Sequence, residues 1–188
     1  GRAGAVGWRR DVPLPPVALV GMVAHQLALL AVQFDNPRGA EDATDHLVSI
    51  GRHRIAFIGG PSSSTSAVDR LEGFRRAMRR HGVACEEEMV VESDYSLEGG
   101  DEAMRRLLKL PTPPDAVLAA NDQLAIGAMH RAKRSGLRIP EDLAVAGFND
   151  VPIAAYVDPP LTTIRLPLHT LGEMAAGLLL SHPKADKP

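Results

Sequence analysis

The chain has 188 residues, enough for one large domain or two small ones. Hydrophobic residues make up 45% and charged residues 23%, an ordinary globular composition, and the net charge of −2 excludes a global basic field of the kind nucleic acid attracts. Aromatic residues, at 4%, leave little material for stacking bases, and one cysteine excludes any disulfide within the chain.

In chain order, residues 1–12 hold charges and a tryptophan among glycines and are expected to be poorly structured. Residues 17–22 and 29–34 read as buried strands. A helix follows, with Asn36 as its N-cap and Pro37 in its first turn. Ala40, Ala43, Leu47 and Ile50 form its apolar stripe, and Gly51 stops it. Residues 54–58 read as a strand ending in Gly59-Gly60-Pro61. After a serine-rich loop, residues 67–80 read as a helix, with Val68, Leu71, Phe74 and Met78 inward and Gly82 as its stop. A short strand at 89–91 leads to a helix over 96–108 capped by Ser96, which Pro111–Pro114 break. Two apolar runs, 116–120 and 143–148, each stop at a polar cluster, Asn121-Asp122-Gln123 and Asn149-Asp150. Between them Leu124, Ala125, Ala128, Met129 and Ala132 give one helix closed by Gly136. Asp158-Pro159-Pro160 makes a rigid turn into a strand at 161–164, either a crossover between lobes or an ordinary edge strand, and 167–180 supplies a last helix. Strands alternating with helices argue for βαβ units on a parallel sheet with right-handed crossovers. The longest apolar run, 27–32, is far too short to span a bilayer.

Four strand ends therefore carry polar residues on one edge of the predicted sheet. They are the 61–66 loop with Arg70, then Asp94-Tyr95, Asn121-Asp122 and Asn149-Asp150. Ligands bind outside the carboxyl ends of strands in such sheets, and amides, carboxylates and a guanidinium suit a hydroxyl-rich molecule. A single tip of this kind is usually just a helix N-cap; four together favour a cleft. Each residue keeps a competing reading. Arg70, placed in the first turn of its helix, needs a partner there, because a cation is disfavoured at a helix N-terminus. Asn121 could cap its own helix, Asn149 could form a turn, and Tyr95 could either stack on a sugar ring or cover the core. Asp122 and Asp150 could orient neighbours. Arg75, Arg76, Arg79 and Arg80 read as a solvated face. Cys85 lies beside the acidic run Glu86–Glu88, which favours an unreactive thiol.

Several chemistries lack their motifs. Gly59-Gly60 is not followed by the Gly-Lys-Ser/Thr of a phosphate loop, and neither G-x-G-x-x-G nor G-x-S-x-G occurs. The seven histidines are scattered without metal-ligand spacing, and His169 reads as a surface residue. No catalytic constellation, cofactor site or metal site is expected.

The segments GRHRIAFIGGP (51–61), DRLEGFRRAM (69–78), DYSLEGG (94–100), AANDQLAIGAM (119–129), GLRIPEDLAVAGFND (136–150) and DPPLTTIRLPLHTLGEMAA (158–176) together resemble the LacI/GalR family of bacterial transcriptional regulators. The resemblance spans roughly residues 17–180. It implies a periplasmic-binding-protein-like α/β fold with a doubly wound parallel sheet, in which two lobes flank a cleft for a small effector, usually a sugar or nucleoside. It implies no enzyme, no membrane and a cytoplasmic homodimer. Operator DNA would be bound only through a helix-turn-helix headpiece missing from this chain. By motif, Ser66, Arg70, Tyr95, Asn121 and Asn149 fall on the family's effector-contact positions, and Asp150 joins them as a sixth candidate. Asn149 departs from the aspartate commonly found there, and Leu166 stands where some members carry a polar contact. On this reading residues 1–50 are a remnant of the N-terminal lobe and 51–163 are the C-terminal lobe. Residues 164–188 are a crossover strand and helix returning to the first lobe, so the chain is expected to be a fragment with a nearly complete second lobe and a partial first. Half a cleft would bind effector weakly or not at all. Leu97, Ile126, Met129, Ile153 and Tyr156 are candidates for the dimer surface, with core packing as the competing role. A sugar-binding protein of a transport system would share the fold and is the alternative.

Overall fold

The computed structural model describes residues 18–20 and 30–181. The expectation for residues 1–12, and positions 17, 21, 22 and 29 of the first two predicted strands, lie outside them. The chain divides into two compact units, residues 34–167 and residues 1–33 with 168–188.

The smaller unit pairs β1 (Ala18–Val20) and β2 (Leu30–Val32) in parallel, Ala18 opposite Leu30. Helix α5 (Leu168–Ser181) packs on both strands and buries Leu171 and Ala175.

The larger unit is built on five parallel strands: β3 (Ile55–Gly59), β4 (Val90–Glu92), β5 (Ala116–Ala119), β6 (Ala144–Asn149) and β7 (Thr162–Arg165). Their order across the sheet is β4-β3-β5-β6-β7. Every residue of β3 and β5 is buried, as expected of strands covered on both faces. Register is fixed by pairs such as Ile55 with Ala116 and Ala116 with Ala144. The connecting helices are α1 (Asn36–Ser49), α2 (Thr65–Arg80), α3 (Leu97–Leu107) and α4 (Asp122–Arg134). The path runs from β3 outward to β4, then reverses to β5. Right-handed crossovers therefore put α2 on the opposite face from α3 and α4. The reversal opens a crevice at the carboxyl ends of β3 and β5, the usual ligand position in this topology.

Glycines let the paired helices approach. A Cβ on Gly127 would collide with the Leu97 carbonyl, and one on Gly73 with that of Pro37. The core joins Phe57 and Phe74, stacked at 5.3 Å, to Phe148, whose ring meets Phe34 edge-on at 5.8 Å. Gly51, Gly82 and Gly136, the predicted helix stops, all have positive φ.

Three local expectations are corrected. The N-cap of α1 is Asp35, whose carboxylate accepts from the Arg38 N–H at 3.0 Å; Asn36 is the first helical residue. Both residues can cap, and Asn36 is drawn inward instead. Helix α2 starts at Thr65 with Ser64 as its cap, so Arg70 lies in the second turn, not the first. On its inner face Arg70 is buried at 7% exposure while Val68 is 51% exposed. The shift arises because the serine run offers several hydroxyls able to cap.

Candidate functional site

The carboxyl edge of the larger unit gathers the predicted tips, and Arg70 is a buried cation among them. Its Nε donates to Asn36 Oδ1 at 2.8 Å, and its Nη1 donates to the Ala120 carbonyl at the end of β5. The guanidinium lies 3.9 Å above the centroid of the Phe148 ring. Arg70 thus reaches from α2 across the crevice where the sheet order reverses. Burial pulls its pKa down to about 10, against the favourable influence of Tyr95 and Asp122. Among the described residues no carboxylate accepts a hydrogen bond from it, although Asp122 and Asp69 act on it through space, and its Nη2 donates none.

Asn36 holds this arginine. It is itself buried, and its Nδ2 contacts the Phe34 carbonyl at 3.4 Å. Sequence reading missed Asn36 and Phe148 because their roles arise only in tertiary packing, across 34 and more residues.

Ser66 and Tyr95 meet through Ser64, whose hydroxyl lies 3.0 Å from Ser66 Oγ and 3.1 Å from Tyr95 Oη. The Tyr95 ring stands over Gly60, where any Cβ would collide with it. Tyr95 itself sits at φ 68°, which fixes the direction of its half-buried ring. Beside it, Asp94 Oδ1 accepts from the Ser96 N–H and hydroxyl, and these bonds lower its pKa.

Asn121 caps α4 through a 2.8 Å bond from the Leu124 N–H to its Oδ1, and its Nδ2 donates to the Tyr95 carbonyl at 3.1 Å. The capping alternative therefore holds, and the same amide ties the β5 tip to the β4 tip. Asp122 is 1% exposed and accepts from the Val151 N–H at 2.8 Å and the Thr163 hydroxyl at 2.5 Å. Burial raises its pKa, and these bonds oppose the rise. It ties the segment after β6 to the body of β7.

Asn149 and Asp150 follow each other with φ of 116° and 58°, two consecutive residues outside the usual regions. Among the described residues the half-buried Asn149 amide takes no hydrogen bond, while its carbonyl accepts from the Leu166 N–H at 3.5 Å. Asp150 pairs with Arg165, and its N–H donates to Thr163 Oγ1 at 3.3 Å.

The remaining candidates sort plainly. Arg75, Arg76, Arg79 and Arg80 all pair with carboxylates, among them the buried Glu41, and His169 is exposed beside Glu173. The Cys85 thiol pKa is pushed up chiefly by burial, with Glu87 adding to it and Arg75 opposing. Met129, a dimer candidate, belongs to the core at 4% exposure; Leu97, Ile153 and Tyr156 are exposed. Among the described residues no group of three His, Cys, Asp or Glu could hold a metal, and no helix is long and apolar enough to cross a membrane.

Residues 44–188 match the family model of the periplasmic binding protein-like domain. The chain belongs to that family. It is 40% identical over 167 residues to the HTH-type transcriptional repressor CytR of Escherichia coli K12, covering 89% of this chain and 49% of that protein. It is also 40% identical over 149 residues to the ribose operon repressor of the same organism, covering 79% and 45% respectively. The chain thus spans about half the length of these curated relatives. Among solved structures it superimposes with a TM-score of 0.83 on a sugar-binding transcriptional regulator of the LacI family from Escherichia coli, complexed with phosphate. That match has 27% identity and covers 92% of this chain and 64% of that one.

Proposed function

We propose that this chain is the effector-sensing and dimerising core of a LacI-type transcriptional regulator. Its effector is a sugar or related small molecule, read by Ser66, Arg70, Tyr95, Asn121, Asn149 and Asp150. One observation carries the reading: the buried Arg70 spans the crevice at the sheet's reversal, between a serine-tyrosine tip and the open Asn149 amide. The C-terminal lobe, expected over residues 51–163, is assigned to the unit of residues 34–167, because α1 packs on α2 and β7 joins the five-stranded sheet. Residues 1–33 and 168–188 are assigned to the N-terminal lobe. Leu97, Ile153 and Tyr156, exposed apolar side chains, are assigned to the dimer contact together with the half-buried Ile126. Operator DNA is contacted by a headpiece outside these 188 residues, in the cytoplasm, and the chain carries no catalysis. Support for the regulator over a transport protein comes from relatives that are themselves repressors.

Calorimetric titration of the protein encoded by the whole gene with a panel of sugars and nucleosides tests the sensor role. At least one should bind, and Arg70→Ala should abolish binding while the protein stays folded. Undiminished binding in that variant would remove Arg70 from the site. A monomer in the ultracentrifuge at high concentration would remove the dimer.

A further inference from the structure

We propose that Asn36 is a positioning residue of the site: it fixes the guanidinium plane of Arg70 before the effector arrives, and so sets how tightly the effector is held. The inference rests on the sensor reading above and adds to it a residue outside the six contacts.

Helix α1 has no use of its own for this side chain. Its cap is Asp35, whose carboxylate already accepts from the Arg38 N–H at 3.0 Å. Asn36 is instead buried, at 8% exposure, and burying an amide costs free energy unless its atoms are bonded. Its Oδ1 accepts from Arg70 Nε at 2.8 Å, while its Nδ2 reaches the Phe34 carbonyl only at 3.4 Å. The well-formed bond is the one to Arg70.

Arg70 is equally out of place as a core residue. The other buried residues of α2 are Ala67, Gly73, Phe74, Ala77 and Met78, all without charge. A side chain serving the fold alone would be apolar here, because a buried cation carries a desolvation cost. Asp122 and Asp69 favour the charge through space, yet neither accepts a bond from it.

Three contacts hold the guanidinium: Asn36 at Nε, the Ala120 carbonyl at Nη1, and the Phe148 ring with its centroid 3.9 Å from the central carbon. Two edges and a face define a plane. The supports are themselves seated. A Cβ on Gly39 would lie 2.7 Å from Phe148 Cζ and 2.9 Å from Phe34 Cε1, so the first turn of α1 packs directly against that ring. Nη2 is the corner left over. Among the described residues Arg52 Nε is the one buried side-chain polar atom without a partner, so Arg70 Nη2, which donates no bond there, keeps access to water. Of the two supporting bonds, only that of Asn36 comes from a side chain. An arginine ordered beforehand carries its loss of rotamer freedom in folding; without Asn36 that loss falls on effector binding.

The test is calorimetry on the protein encoded by the whole gene, with ribose, galactose, glucose, cytidine and adenosine as probes. Asn36→Leu, close in size but lacking an acceptor, should weaken the best-bound probe about tenfold or more, a difference of about 1.4 kcal/mol. Asn36→Asp keeps an acceptor in the same place and should recover most of that loss. A role in folding alone would lower the urea midpoint and leave the affinity of the folded protein as it was. A second readout serves even if Asn36→Leu does not fold. In the unliganded parent the Arg70 Nε proton, assigned by nuclear magnetic resonance through its disappearance in Arg70→Lys, should be protected from exchange with water. Suppose a probe binds the parent. If Asn36→Leu then binds it as tightly, if Asn36→Asp is as weak as Asn36→Leu, or if that proton exchanges freely, Asn36 does not position Arg70 and the sensor reading stands. If no probe binds the parent, the sensor reading fails and this proposal fails with it.

Discussion

Two Asn-Asp pairs stand at neighbouring strand tips, Asn121-Asp122 after β5 and Asn149-Asp150 at the end of β6, and the fold uses them in opposite ways. At the β5 tip the backbone is extended, Asn121 caps α4, and Asp122 disappears into the protein at 1% exposure. At the β6 tip both residues take positive φ, the Asn149 amide is left open, and Asp150 pairs with the exposed Arg165. The difference follows from what comes next in the chain. After β5 a long helix starts at once, so its unpaired N–H groups claim the asparagine. After β6 the chain passes through a short 3₁₀ turn, Pro152–Ala155, which has no side-chain cap and makes no such demand. One dipeptide is thus scaffold and the other is the part of the edge free to meet a ligand.

The sharpest break of this comparison is Asp122→Ala. It strips the partners from the Val151 N–H and the Thr163 hydroxyl and leaves a gap between the segment after β6 and the body of β7. Two donors losing their acceptor in a half-buried site should cost about 2–4 kcal/mol of unfolding free energy, read as a lowered urea midpoint. A loss below about 0.5 kcal/mol would show that Asp122 is not scaffold.

Much of this was legible in the chain itself, and the illegible parts share a cause. The runs forming β3, β5 and β6 read correctly because strands buried on both faces need unbroken apolar sequence. The helix stops read correctly because Gly51, Gly82 and Gly136 occupy a backbone region that other residues avoid. Convergence of the tips followed from βαβ topology alone. The start of α2 did not, because Ser62, Ser63, Ser64 and Ser66 are all competent caps and only packing selects Ser64. Val68 reads as inward because it is apolar and three residues from Leu71, whereas the buried stripe runs through Ala67, Arg70, Phe74 and Ala77. Asn36 was read as a cap for the same local reason, and its bond to Arg70 joins segments 34 residues apart. The two Asn-Asp tips look alike because nothing local to them sets the sign of φ; the following segment does.

Asn121→Ala is the second test. Loss of the cap to Leu124 and of the bond to the Tyr95 carbonyl should cost about 1–2 kcal/mol. Asn121→Asp keeps an acceptor for the cap, so it should recover most of that loss. If Asp is as damaging as Ala, the Tyr95 contact matters more than the cap.

Asn149→Gly tests the other asparagine and should go the opposite way. Glycine accepts φ 116° without strain but is freer in the unfolded chain, so the two effects nearly cancel. The urea midpoint should stay within about 1 kcal/mol of the parent, while effector binding is lost with the amide. A large loss of stability would mean that the amide is as structural as that of Asn121.

Asp150→Asn should have the smallest effect. The Arg165 side chain is 81% exposed, so the pair is screened and contributes at most about 0–1 kcal/mol, falling as salt rises. A second effect opposes it. The Asp150 charge is one of the influences raising the pKa of Asp122, which burial dominates. A carboxyl whose folded pKa is raised takes up its proton more readily when folded. Its ionised form therefore weakens the fold above that pKa, and the penalty fades as pH falls toward the ordinary value of 3.8. Neutralising Asp150 lowers the Asp122 pKa and so relieves part of this penalty at neutral pH. The net change should be a few tenths of a kcal/mol, and closest to zero in high salt, where the lost pair no longer counts. Urea midpoints at low and high salt measure it. A loss that survives high salt would place Asp150 with Asp122 in the scaffold and end the contrast between the two tips.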